Sequence, residues 1–106
     1  MKIYLASPYS AKCDNIMEQR FHAACDAAGE LIIAGHIVYC SIAHCHPIAE
    51  RCFLPRDAEY WSRHNKAFIA WADEVWVKTL AGWQESKGVS EEIEYAEAIG
   101  KTVIFF

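Results

Sequence analysis

At 106 residues, with 54% apolar and 23% charged side chains, the chain has material for one hydrophobic core and not for two, so residues 1–106 read as a single domain. That composition excludes a disordered protein, and a net charge of −4 with scattered Lys and Arg excludes duplex nucleic acid as a partner. No apolar run is long enough for a membrane span or a signal-peptide core, so no membrane and a cytoplasmic setting are expected, in which five Cys read as free thiols.

"KIYLA" (2–6), short, apolar and followed by Ser7-Pro8, predicts a buried strand ending in a loop. From Asp14, a good N-cap, Met17, Phe21, Ala24, Ala28 and Leu31 recur at helical spacing, and Gly35 closes that helix. "HIVYC" (36–40) predicts a second strand. The stretch 41–55, "SIAHCHPIAERCFLP", reads as irregular, because Pro47 and Pro55 break it. A second helix beginning near Pro55 carries Asp57, Trp61, His64, Phe68 and Trp71 on one stripe. "DEVWVKTL" (73–80) predicts the third strand and "AGWQESKG" a loop. Val89, Ile93, Ala96 and Ile99 line a third helix stopped by Gly100, and "TVIFF" (102–106) is the last strand. Trp61, Trp71 and Trp76 all fall on faces expected to be buried.

Strands alternating with helices imply an α/β three-layer sandwich, a mostly parallel sheet of about four strands covered on both faces. The simplest topology is flavodoxin-like or Rossmann-like, with strand order 2-1-3-4. Ligands in such sheets bind beyond the carboxyl ends of the strands where the order reverses, here between strands 1 and 3. The segments meeting there are "ASPYSAKCDN" and "AGWQESKGVSEE".

Within the second segment the helical phase turns Val89, Ile93 and Ala96 to the sheet and Glu94 and Glu97 away from it, which leaves Glu92 at the edge of the buried face. The plain alternative is that acidic residues suit a helix start through its dipole. Ser86 and Gly88 lie where a loop enters the helix, a place where N–H groups and a hydroxyl hold an anion or merely cap the turn. Ser7 and Ser10 face the same crevice, and Tyr9 and Trp83 are placed to stack on a planar base or to close a loop over the core. Arg20 and Arg51 are candidate phosphate partners, with a surface role the stronger reading.

Cys40, His44, Cys45, His46 and Cys52 invite a zinc hypothesis, but no C-x2-C pair occurs in the chain. A pocket loop with His46 contacting ligand is the better reading, and neither a metal nor a cofactor is expected.

With these residues in view, the sequence resembles the nucleoside 2-deoxyribosyltransferase-like superfamily over nearly its whole length. "IYLASPYS" is similar to the superfamily's first strand and loop, and "GVSEEIEYAEAIGKTV" to its "G-x-x-x-E-[IL]-x-Y-A-x-x-x-GK-x-V" signature. The likeness is greatest to a small phage and bacterial group with "YLASPYS…GW..S.GV..E". The signature's Glu aligns with Glu92, which the resemblance implies is a nucleophile attacking the anomeric carbon of a 2′-deoxyribose N-glycoside. A carboxylate stabilises the oxocarbenium character created as the base departs and then captures it covalently. Water gives hydrolysis and a second base gives transfer.

In the branch that hydrolyses 2′-deoxynucleoside 5′-monophosphates, a Ser six residues before that Glu holds the phosphate, and Ser86 has this spacing. Ser7 matches that branch's first-loop Ser and Tyr4 its strand Tyr, while Tyr9 replaces an expected Arg. Asn65 stands where the superfamily places an Asp that positions or protonates the base; an amide orients by hydrogen bonds but is no proton donor of that kind. Asp57 or a neighbouring His is a possible substitute, although His64 points elsewhere on the helix. The resemblance thus implies Glu92, Asn65 and Tyr4 as catalytic residues. The substrate-binding set is Ser7, Pro8, Tyr9, Ser86, Gly88, Trp83 and His46, for a small-molecule nucleoside or nucleotide. It also implies a homodimer or higher homo-oligomer. The alternative of another class is a nucleotide-binding or sensing module that kept the fold and lost efficient chemistry, with cleavage of NAD-like N-ribosides a third reading.

Overall fold

The structure, a computed structural model, describes residues 1–106. In chain order the elements are β1 (Lys2–Ala6), α1 (Asp14–Ile33), β2 (Ile37–Cys40), α2 (Ser41–Cys52), α3 (Ala58–Trp71) and β3 (Glu74–Val77). A single 3-10 turn (Trp83–Glu85), α4 (Lys87–Ala98) and β4 (Thr102–Phe105) follow. The four strands form one all-parallel sheet in the order β2-β1-β3-β4, the order expected from the alternation of strands and helices.

Period-two alternation along β1 divides the core between the two faces of this sheet. Tyr4 and Ala6, with Val75 and Val77 of β3, pack against Ile69 of α3 and Val89 and Ala96 of α4. Ile3 and Leu5 point the other way, onto Ala24, Ala27, Ala28 and Leu31 of α1. Small residues on α1 let that helix lie close to the sheet. Each fully buried Ile, Leu or Val stabilises the fold by roughly 1.5–3 kcal/mol, so these two clusters carry most of the stability.

The segment 41–55 is not irregular. Residues Ser41–Cys52 form α2, with Pro47 inside it. Ser41, Cys45, His46 and Ala49 are buried and recur at the spacing of one helical face, and that burial outweighs the roughly 3 kcal/mol that an interior Pro costs. Phe53, at φ 55°, then ends the helix in the left-handed region, where the N–H groups of both Phe53 and Leu54 reach the Ala49 carbonyl.

α3 begins at Ala58, so Asp57 is not on its stripe as the sequence reading has it but caps the helix, accepting from the Tyr60 N–H at 3.2 Å. Its stripe is shallower than expected, however. Only Ile69 is fully buried, Trp71 is 38% exposed, and the Lys2 ammonium lies 5.3 Å from its ring centroid. The sheet is only four strands wide, so a helix on it buries a narrow strip and leaves bulky flanking rings half in water. Asp14 lies within α1 rather than capping it, since the N-cap is Cys13, with no side-chain bond.

Candidate functional site

The first five residues bring one phenol to the interior: Tyr4 of β1 is fully buried among apolar side chains, and its hydroxyl donates to Oε2 of Glu92. Glu92 sits on the second turn of α4, one residue before Ile93, which packs against the sheet. Burial pushes its carboxyl up to about 7 from an ordinary 4.5, the Tyr4 hydrogen bond pulling against that rise and the neighbouring Glu91 adding to it. Tyr4 itself is raised well above the usual phenol range, first by burial and then by the Glu92 charge. Between these two groups the proton therefore stays on the phenol, and Tyr4 is the donor.

In front of Glu92 opens a cavity of about 350 Å³, within the range of small-molecule sites. It lies beyond the carboxyl ends of β1 and β3, at the switch point of the sheet, and α2, α3 and α4 wall it in. Ser7, Tyr9 and Ser10 reach it from the loop after β1, Asn65 from α3, and Ser86, Gly88 and Glu92 from the start of α4. Ser7 is buried with a hydroxyl that has no protein partner, a polar atom left for a ligand or a water. Ser86 caps α4, accepting from the Val89 N–H at 3.3 Å, and its own proton stays free to donate. Asn65 accepts from the Cys45 thiol at 3.9 Å through Oδ1, so its amide N–H2 remains available. Burial pushes that thiol up to about 12, so Cys45 is a weak donor here and no nucleophile.

Three of the residues proposed from sequence stand elsewhere. Pro8 is buried without lining the cavity. Trp83 packs on the core, with its ring centroid 5.3 Å from that of Phe105. His46 lies behind the cavity wall: its Nδ1 is 2.5 Å from the Tyr9 hydroxyl, and its ring stacks on Phe21. The Cys and His residues of 40–52 do not converge either, because a helix turns Cys45 toward Asn65 and His46 toward α1. His64 bonds the Tyr39 hydroxyl at 3.0 Å, away from the cavity.

Arg20 is no phosphate partner. Its guanidinium donates to the Tyr9, Ser10 and Ala81 carbonyls, tying the loop after β1 to the loop after β3. The cavity's cations are instead Arg56, Lys66 and Lys87, with Trp61 as its large aromatic wall. Sequence reasoning passed over the three cations and assigned Trp61 to the buried face of its helix. No shared position in the sequence marks the cations: Arg56 and Lys87 flank the amino ends of α3 and α4, but Lys66 lies in the second half of α3. Asp57 lines the cavity as well, but its carboxylate is engaged by the helix cap.

No helix is long and apolar enough to cross a membrane, and all five Cys are free. Among curated proteins none matches this chain. A family model described as Domain of unknown function (DUF1937) matches residues 1–106, the whole length of the chain, which therefore belongs to that family.

Proposed function

We propose that the protein cleaves or transfers at the N-glycosidic bond of a 2′-deoxynucleoside or its 5′-monophosphate, with Glu92 as the nucleophile. The observation that carries this reading is a buried carboxylate, held by a neutral phenol, at the base of a nucleoside-sized cavity. A Glu Oε attacks C1′ as the C1′–N bond breaks, and the electron pair of that bond leaves with the base, which takes a proton from solvent. Water then attacks C1′ of the glycosyl ester and returns the free carboxylate; a second base in place of water gives transfer. Asn65 orients the base or a sugar hydroxyl, while Ser7, Ser86 and the Gly88 backbone hold the 5′ end of the substrate. Arg56 and Lys87 are the cations nearest that end and would meet a monophosphate there in exchange for their present partners, Asp14 at 3.9 Å and Glu91 at 3.8 Å.

The same reading takes the protein to be a cytoplasmic homodimer or higher homo-oligomer, in keeping with the half-exposed Tyr60 and Trp71 on α3, and light scattering in solution tests the assembly. A second reading, a nucleotide-binding module without turnover, is favoured by one feature: Asn65, where an acid would assist the leaving base, is neutral. A chromatographic screen for released base over deoxynucleosides and their monophosphates decides between the two. Release that disappears in Glu92→Ala supports the enzyme. Nucleotide binding without release, equally tight in wild type and Glu92→Gln, supports the module.

A further inference from the structure

Behind the cavity wall, α1 and α2 face each other with matching pairs of metal-binding residue types. Glu18 and His22 are one helical turn apart on α1, and His46 and Glu50 one turn apart on α2. The four side chains meet. His46 Nε2 lies 2.9 Å from Glu18 Oε2 and 3.3 Å from Glu50 Oε2, and one ligand atom from each of Glu18, His46 and Glu50 falls within 4.8 Å of the others. His22 Nε2 approaches the other oxygen of Glu18 at 3.4 Å.

This group is short of positive charge. Two carboxylates share one imidazole nitrogen, which carries at most one proton and so satisfies one of them. Neither Glu18 nor Glu50 has a Lys or Arg within 4 Å. His46 is only 3% exposed, whereas both Glu side chains reach solvent, which gives an ion a path of entry from outside. Donor atoms about 2.0–2.2 Å from a tetrahedral ion stand roughly 3.4 Å apart, close to the spacings already present.

The surrounding contacts are those that orient ligands. The Tyr9 hydroxyl holds Nδ1 of His46, Phe21 stacks on its ring, and His22 steadies Glu18. We propose that Glu18, His46 and Glu50 form a binding site for a divalent transition metal of the zinc class, clamping α1 to α2. One His and two carboxylates neutralise a doubly charged ion, and a mixed nitrogen and oxygen set suits zinc better than calcium or magnesium, which prefer oxygen alone. Binding at Nε2 moves the single proton of the neutral ring from Nε2 to Nδ1, a change of tautomer in which no proton is lost. The ring then donates to the Tyr9 oxygen and frees the Tyr9 O–H to point toward the cavity it lines. The site is independent of the reaction proposed above. It also differs from a C-x2-C arrangement, because its ligands are an i, i+4 pair on α2 and a single Glu on α1.

The test uses chelator-stripped full-length protein titrated with Zn2+ or Co2+ alone. The expected result is one equivalent bound, with the visible absorption of four-coordinate Co2+ and a chelator-reversible rise in Tm. The double variant Glu18→Gln/Glu50→Gln, isosteric and at half-exposed positions, is expected to bind at least about tenfold more weakly. A folding-independent arm is the 15N spectrum of wild-type imidazoles, in which Zn2+ must move the His46 Nε2 resonance. No binding by wild type, equal binding by the double variant, or an unmoved His46 resonance overturns the proposal.

Discussion

Tyr4 and Glu92 lie 88 residues apart in sequence and share one hydrogen bond, formed where β1 passes beneath α4. The two elements that meet there also form the cavity, so the same packing that buries Tyr4 aims the carboxylate. Their environments push both groups toward the neutral form, and the bond works against that push only for Glu92.

Tyr4→Phe separates these effects. The substitution keeps the ring in the core and removes the one donor that lowers the Glu92 pKa, so the carboxyl moves further above about 7. A nucleophile must be ionised, so base release is expected to rise with pH through that region in wild type. The variant's rise is expected at higher pH, with a lower rate at pH 7. Above pH 7 the variant is also expected to lose about 1.5–3 kcal/mol of stability, the worth of a hydrogen bond to a charged group, read by urea denaturation. A pH–rate profile with an unmoved midpoint counts against this role for Tyr4.

Glu92→Gln has a pH signature in stability alone. Because the folded pKa is raised, the folded state holds its proton more tightly than the unfolded chain does, and stability falls as pH rises from the unfolded value of 4.5 toward about 7. Gln has no such penalty and still accepts from Tyr4. Its stability is therefore expected to match wild type near pH 4 and to exceed it at pH 8 by a margin on the order of 3 kcal/mol, read by urea denaturation at the two pH values. A gap that does not widen with pH removes the case for a strained carboxylate.

The order of the sheet was legible because β1 to β4 are short apolar runs bounded by Gly, Pro and polar turns, and because alternation with helices admits few topologies. Glu92 was legible from helical phase and from the signature together. The misread element was α2, where Pro47 masks a buried stripe whose partners, on α1, are distant in sequence. That error also misplaced His46, since a residue assigned to a loop at the pocket lies instead on a helix face turned to Glu18. Arg56, Lys66 and Lys87 were invisible for a different reason: exposed cations look alike in sequence until the cavity beside them is known.

Arg20 and Gly82 form a second long-range pair whose strength is measurable. Gly82 has φ 91°, and a Cβ there falls 2.6 Å from Arg20 Nη2, the atom that donates to Ala81. Gly82→Ala is expected to cost about 1–2 kcal/mol from backbone strain, plus whatever displacement of the guanidinium adds. In an Arg20→Ala background the second contribution vanishes and the first remains, so a double-mutant cycle by chemical denaturation should give a non-zero coupling. Arg20→Lys is not expected to rescue, because one ammonium does not bridge three carbonyls on two loops.

Ser86 has two roles that one substitution cannot part, and a pair of variants can. Ser86→Ala removes the α4 cap and the free hydroxyl together, and is expected to cost about 1 kcal/mol of stability. Ser86→Asp keeps a side-chain acceptor for the Val89 N–H and so retains the cap, but sets a negative charge where a substrate phosphate is proposed to bind. With the phosphate at that end of the cavity, Ser86→Asp is expected to unfold like wild type. Its KM for monophosphates should rise at least about tenfold, the effect of one repelled charge worth about 1.4 kcal/mol, while its KM for the unphosphorylated nucleosides stays nearly level. Equal changes for both substrate classes would mean that Ser86 serves the helix and not the substrate.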